Sequence, residues 1–146
     1  MRKWIAAGAV VAVIGAVGQA PAQDPLAQRI ALMKDMGGQA RTLTQMARGQ
    51  APYDAAAATA AFTKIRDNAK AIPALFTAPP KPGEKTRAAP AIWTDMAGFK
   101  AAAAKLEADA AAAIPAAGGG QAALGPLLQN VGADCNSCHE AFQLKQ

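Results

Sequence analysis

The chain has one histidine, one tyrosine and two cysteines in 146 residues, and aromatic side chains make up only 5% of it. A single histidine leaves no second imidazole for acid–base work, and no two carboxylates fall together on one expected helix face, so a conventional enzyme is not indicated. "GGGQ" at 118–121 follows no strand, which excludes a phosphate-cradling glycine loop. No stretch alternates β-branched and polar residues as a strand does. Dense basic clusters and aromatic platforms are missing too, which removes nucleic acid from the candidate partners.

Long apolar runs are confined to the beginning of the chain. Arg2 and Lys3 precede an apolar stretch from Trp4 to Val17, and Ala20 and Ala22 supply an A-x-A cleavage site before Gln23. This is the layout of a secretory signal peptide over residues 1–22, with a domain at 23–146. The apolar run falls short of the roughly 18 residues a spanning helix needs, and no cysteine stands near the cleavage point to take a lipid. The expectation is an exported protein with no stable membrane insertion after cleavage. Removing two of the 15 basic residues leaves 13 against 10 acidic ones, so the net charge falls from +5 to about +3.

The rest of the chain reads as four helical blocks separated by breakers. They run from Asp24 to Arg48, from Asp54 (a good N-cap) to Pro73, from Ile92 to Ile114, and from Gln121 or Pro126 to Leu144. "TAPPKPGEKTRAAP" and "PAAGGG" are the loops between the later blocks. The fold class is all-α. Alanine runs such as "KAAAAKLEADAAAA" form helix readily but bury little apolar area, so the larger side chains must hold the blocks together. Tyr53, Phe62, Trp93 and Phe99 are expected to pack in the core. Gly37 and Gly38 interrupt the first block at a cost of about 1 kcal/mol each against alanine. They signal either a kink or the close approach of a bulky group, since Gly37 lies one turn beyond Met33. Pro126 is expected near the start of the last helix.

Both cysteines and the histidine fall in "GADCNSCHEAF". Export would put the thiols in an oxidising compartment, yet a disulfide across two residues closes too small a loop to stabilise much. On a helix Cys135, Cys138 and His139 share a face with Leu124, Leu127, Leu128, Val131 and Phe142. C-x-x-C-H is the attachment signature of a c-type haem: two thioethers fix the porphyrin edge and the imidazole takes one axial position. A zinc site would need a fourth ligand where the only histidine is already used. A thioredoxin-like dithiol normally follows a strand at a helix N-terminus. Chance spacing of inert cysteines is the remaining alternative, and haem is the best reading of the three side chains together.

With these features the chain resembles the class II cytochromes c, the cytochrome c-prime family. "RIALM", "RGQAPYD", "IWTDMAGF" and "VGADCNSCHEAF" are similar to that family's first helix, first turn, third-helix opening and closing segment. The resemblance implies an antiparallel four-helix bundle enclosing one covalently attached haem c, often as a homodimer, and here periplasmic. It implies thioethers at Cys135 and Cys138 and a proximal ligand at His139. Arg29 would meet a haem propionate, Ile30 the ring and Met33 the distal face. Gly83 and Glu84 would touch the haem edge from the loop. Relatives commonly carry a basic residue directly after the aromatic that follows C-x-x-C-H, and here Gln143 stands there.

Two functions then depend on the sixth position of the iron. Ligation by the Met33 sulfur gives a low-spin His–Met haem suited to electron transfer; the segment "LMKDMGG" looks like low-spin members. A Met33 that only crowds the distal face leaves a five-coordinate iron open to nitric oxide or carbon monoxide, and "GQAPYDAA" looks more like those members. Electron transfer is the favoured reading, with an unidentified redox partner protein. Lys34, Arg41 and Arg48 recur every seven residues and form a basic stripe on which an acidic partner could dock.

Overall fold

The computed structural model describes residues 24–145, so the signal peptide expected at 1–22 lies outside the described residues. Among the described residues the chain forms helices and no sheet. α1 spans Pro25–Ala47, α2 spans Ala55–Ala71, a single turn α3 spans Ala91–Thr94, α4 spans Met96–Ala116 and α5 spans Gln121–Phe142. Short 3-10 turns at Ile72–Leu75 and Ala117–Gly119 follow α2 and α4.

Capping by aspartate explains where three of the long helices begin. Asp24 accepts from the Leu26 amide at 3.2 Å, Asp54 from the Ala57 amide at 2.9 Å and Asp95 from the Gly98 amide at 2.9 Å. The third of these divides the block expected at Ile92–Ile114 into α3 and α4, because Asp95 leaves the helical region at φ −130° and starts a new helix. Gly98 lets the Asp95 carboxylate come that close: a Cβ at this position would collide with the carboxylate atoms. Pro126 lies inside α5, which begins five residues earlier at Gln121. Gly37 and Gly38 do not break α1; both are exposed, and a Cβ on either would meet no protein atom within 4 Å.

The four long helices close into a ring in which α1 packs on α2, α2 on α4, α4 on α5 and α5 back on α1. α2 and α4 make the most extensive contact. Ala58, Ala61 and Ala69 of α2 and Ala103, Ala110 and Ala113 of α4 are all buried. Small side chains there let two backbones approach closely. Larger groups fill the rest of the core, with Leu43, Phe62, Ile65, Ile92 and Leu124 fully buried. Of the four aromatics expected in the core, Phe62 and Phe99 are buried, while Tyr53 and Trp93 pack against it half-buried. Tyr53 also ties the α4–α5 connection, donating to the Ala117 carbonyl at 2.6 Å and accepting from the Gly120 amide at 3.1 Å.

One further contact positions the functional end of α5. The loop before α3 pairs with the chain leaving α5 in a short antiparallel bridge between Ala88 and Gln143. The Ala89 amide donates to the Phe142 carbonyl at 3.0 Å, and the Leu144 amide donates to the Arg87 carbonyl at 2.8 Å.

Candidate functional site

A cavity of about 790 Å³ opens where the first half of α1 faces the last turns of α5. That is the size of a pocket for a large organic cofactor. From α1 it receives Arg29, Ile30, Met33 and Lys34; from α5 it receives Cys138, His139 and Phe142, and Gln143 follows from the chain leaving that helix. Phe76, Ile92 and Phe99 make an apolar floor, and Phe99 stacks edge-on to both Phe76 and Phe142 at 5.0 and 5.4 Å.

The sequence motif folds as a helical turn because α5 continues unbroken to Phe142. Cys138 and His139 reach the cavity wall. Cys135, one turn earlier, is half-buried against the core cluster and outside the wall itself. Both thiols are unpaired. Burial pushes both thiols above their ordinary pKa, with the Asp134 charge adding to the effect at Cys135 and Cys135 adding to it at Cys138. These are protonated, sheltered sulfurs, unlike the activated thiolate of a redox dithiol at a helix N-terminus. Among the described residues no three His, Cys, Asp or Glu side chains converge as metal ligands would in a zinc site. Burial, and after it the Arg87 charge, holds the His139 imidazole below its usual pKa, which favours the neutral form that binds metals.

Arg29 carries the clearest electrostatic signal. It is only 8% exposed, its Nε donates to the Leu75 carbonyl at 2.6 Å, and its guanidinium lies 4.3 Å over the Phe76 ring. Among the described residues no carboxylate pairs with it. A buried cation without a counterion is costly, and this one borders a cavity whose other charged lining residues are Lys34, Lys85 and Arg87. No acidic side chain lines that cavity among the described residues. An apolar, planar group bearing carboxylates fits this donor set, with its anions at Arg29 and the basic rim. The side chains therefore suit a haem and its two propionates.

Gly83 and Glu84 stand apart from the cavity wall. Gly83 turns the loop at φ +85°, and Glu84 accepts from the Lys81 amide at 2.7 Å. Lys85, Thr86, Arg87 and Ala88 of the same loop are the ones that line the cavity. Phe76 and Arg87 escape a reading of the sequence because neither belongs to a motif. They are brought in by the chain that follows α2 and by the bridge to Gln143.

A helical bundle with this cavity and a C-x-x-C-H turn at its edge defines a monohaem c-type cytochrome. The pattern of the family described as Cytochrome C′ matches residues 24–143. Cytochrome c-556 of Agrobacterium tumefaciens (strain II Chrys) is 43% identical over 119 residues, covering 82% of this chain and 96% of the relative. A cytochrome c′ of Rhodopseudomonas palustris is 39% identical over 150 residues, covering 100% of this chain and 99% of the relative. The solved structure of cytochrome c′ from Rhodopseudomonas palustris superposes with a TM-score of 0.79 at 38% identity, covering 86% of this chain and 99% of that one. The chain belongs to the cytochrome c′ family, whose members carry covalently bound haem c with iron.

Proposed function

We propose that the chain is a periplasmic electron-transfer cytochrome, exported by a cleaved signal peptide, with its haem held between α5 and α1. When bound, the haem supplies an iron that gains and loses one electron at a time. Cys135 and Cys138 would hold the porphyrin edge through thioethers, and His139 would bind the iron from α5. Met33 would bind it from α1, and Arg29 would neutralise a propionate. The observation that carries this reading is that a thioether on α1 and the only imidazole on α5 border one apolar cavity. A His–Met pair needs little rearrangement between oxidation states, which favours electron transfer over ligand binding. No helix among the described residues is long and apolar enough to cross a membrane.

A second reading is favoured by the packing of Met33 against the core cluster. A side chain anchored there would crowd the distal face and leave the iron open to nitric oxide or carbon monoxide. Absorption spectra of the holoprotein separate the two. Electron transfer through a His–Met haem predicts a low-spin spectrum, unresponsive to carbon monoxide when reduced, that turns high-spin in Met33→Ala. A high-spin native spectrum that shifts with carbon monoxide overturns it in favour of the second reading.

For a redox partner, the cations at the cavity mouth matter more than their helix spacing. Lys34, Lys85 and Arg87 line the opening. Arg41 and Arg48 are exposed further along α1, away from the cavity. An acidic protein surface approaching the mouth would come nearest the haem edge.

A further inference from the structure

Two clefts meet at His139. The large cavity borders it, and so does a smaller one of about 220 Å³ that opens among residues at the α5 C-terminus and the chain leaving it. Three residues border both: Arg87, His139 and Gln143. The imidazole thus shares both cavity walls with an arginine from the loop and a glutamine from the chain leaving α5. Gln143 occupies the position where the family resemblance leads one to expect a base. Arg87 is held against that position by backbone alone, through its carbonyl to the Leu144 amide and the bridge one residue on. The side chain takes no part in this fastening, and no carboxylate pairs with it among the described residues.

We propose that Arg87 is the electrostatic partner of the proximal ligand, supplying from the loop before α3 the fixed positive charge that position 143 lacks and raising the reduction potential of the haem. The inference rests on the reading of His139 as the proximal ligand. Its physical basis is Coulombic. Oxidation adds one positive charge at the iron, and a nearby guanidinium charge opposes that charge. Two other charged groups face the smaller cleft, Glu140 and Lys145, of opposite sign. Neither borders the large cavity, whereas Arg87 does. Because Arg87 is exposed, its influence is screened and weakens as salt is added.

The test is the reduction potential of purified holoprotein at low ionic strength. Arg87→Gln should shift the oxidation equilibrium roughly threefold to tenfold toward the oxidised form, which for one electron is about 28 to 59 mV lower. Arg87→Lys should stay near the native potential, and Gln143→Arg placed in the Arg87→Gln background should recover most of the loss. The shift should shrink in high salt. Since the fastening uses main-chain atoms, all three variants are expected to fold and keep their colour. A folded, haem-loaded Arg87→Gln with the native potential overturns the proposal, as does an Arg87→Lys that falls as far as the glutamine variant. A protein that binds no covalent haem at all, judged by intact mass, instead defeats the reading of the C-x-x-C-H turn.

Discussion

At the scale of single residues the large cavity is bordered by Arg29, Lys34, Lys85 and Arg87 and, among the described residues, by no carboxylate. Arg29 is buried, bonded to a main-chain carbonyl and laid on an aromatic face. These contacts orient the guanidinium but leave its charge unmatched. A propionate would match it, and the stabilising effect of Arg29 would then depend on the haem. Replacing Arg29 by methionine keeps an unbranched apolar side chain and removes both the guanidinium over Phe76 and its bond to Leu75. We expect the holoprotein to lose about 1 to 3 kcal/mol, the scale of a lost buried charged hydrogen bond. The haem-free chain should lose less, or gain, because there the methionine relieves an uncompensated charge. Thermal unfolding of both forms, with and without the substitution, measures the difference; equal losses would mean that Arg29 acts only as packing. Tyr53 makes a related point about legibility. Its apolar ring is readable as core from composition. Its hydroxyl bonds to Ala117 and Gly120 depend on where a chain segment 64 and 67 residues away returns.

At the scale of elements, the helices were readable because each begins with a local signal. Asp24 and Asp54 sit where a capping aspartate is expected, and both cap. The division at Asp95 uses the same chemistry but is masked by helix-forming neighbours on both sides, and only the backbone angles reveal it. The Ala88–Gln143 bridge has no sequence signature at all, since two loop segments meet there without alternating side chains. Arg87 could not be placed beside His139 without it. Contacts between elements also carry a pH dependence. Asp35 on α1 accepts from Gln39 at 2.9 Å and from Asn68 of α2 at 2.7 Å, and these bonds, Gln39 first, hold its carboxyl below the ordinary 3.8. A depressed folded-state pKa contributes stability above the unfolded value and loses it as pH falls through the folded one. Asp35→Ala should therefore cost a few tenths of a kcal/mol at neutral pH, small because the site is near the surface. The gap between variant and native midpoints should close progressively below about pH 4; a gap that is constant down to pH 2 would assign the loss to helix packing instead.

At the scale of the whole molecule, the ring of helices is complete but unevenly filled. Alanines close the α2–α4 side tightly, while the α1–α5 side holds a cavity of about 790 Å³ floored by Phe76, Ile92 and Phe99. A bundle with so few large side chains has little apolar area to spare, and a group filling a cavity of this size would add contacts along its lining. The haem is therefore expected to be part of the core. A group bound only by the folded state stabilises that state, and covalent attachment also keeps it at the site in the unfolded chain. Replacing Cys135 and Cys138 together by alanine removes the attachment while leaving two good helix formers in α5. The double variant, isolated without haem, should keep most of its helical circular dichroism. Its unfolding free energy should fall by about 3 kcal/mol or more, which for a domain of this length is roughly 10 °C in thermal midpoint. Adding free haem should restore part of that loss through Arg29, His139 and the apolar floor, because those contacts do not need the thioethers. If the haem-free variant melted at the native temperature, the four helices would be self-sufficient and the cavity would contribute nothing to the fold. The haem would then be a guest in a finished scaffold, and the charge pattern around the opening would have to be explained by its surface role alone.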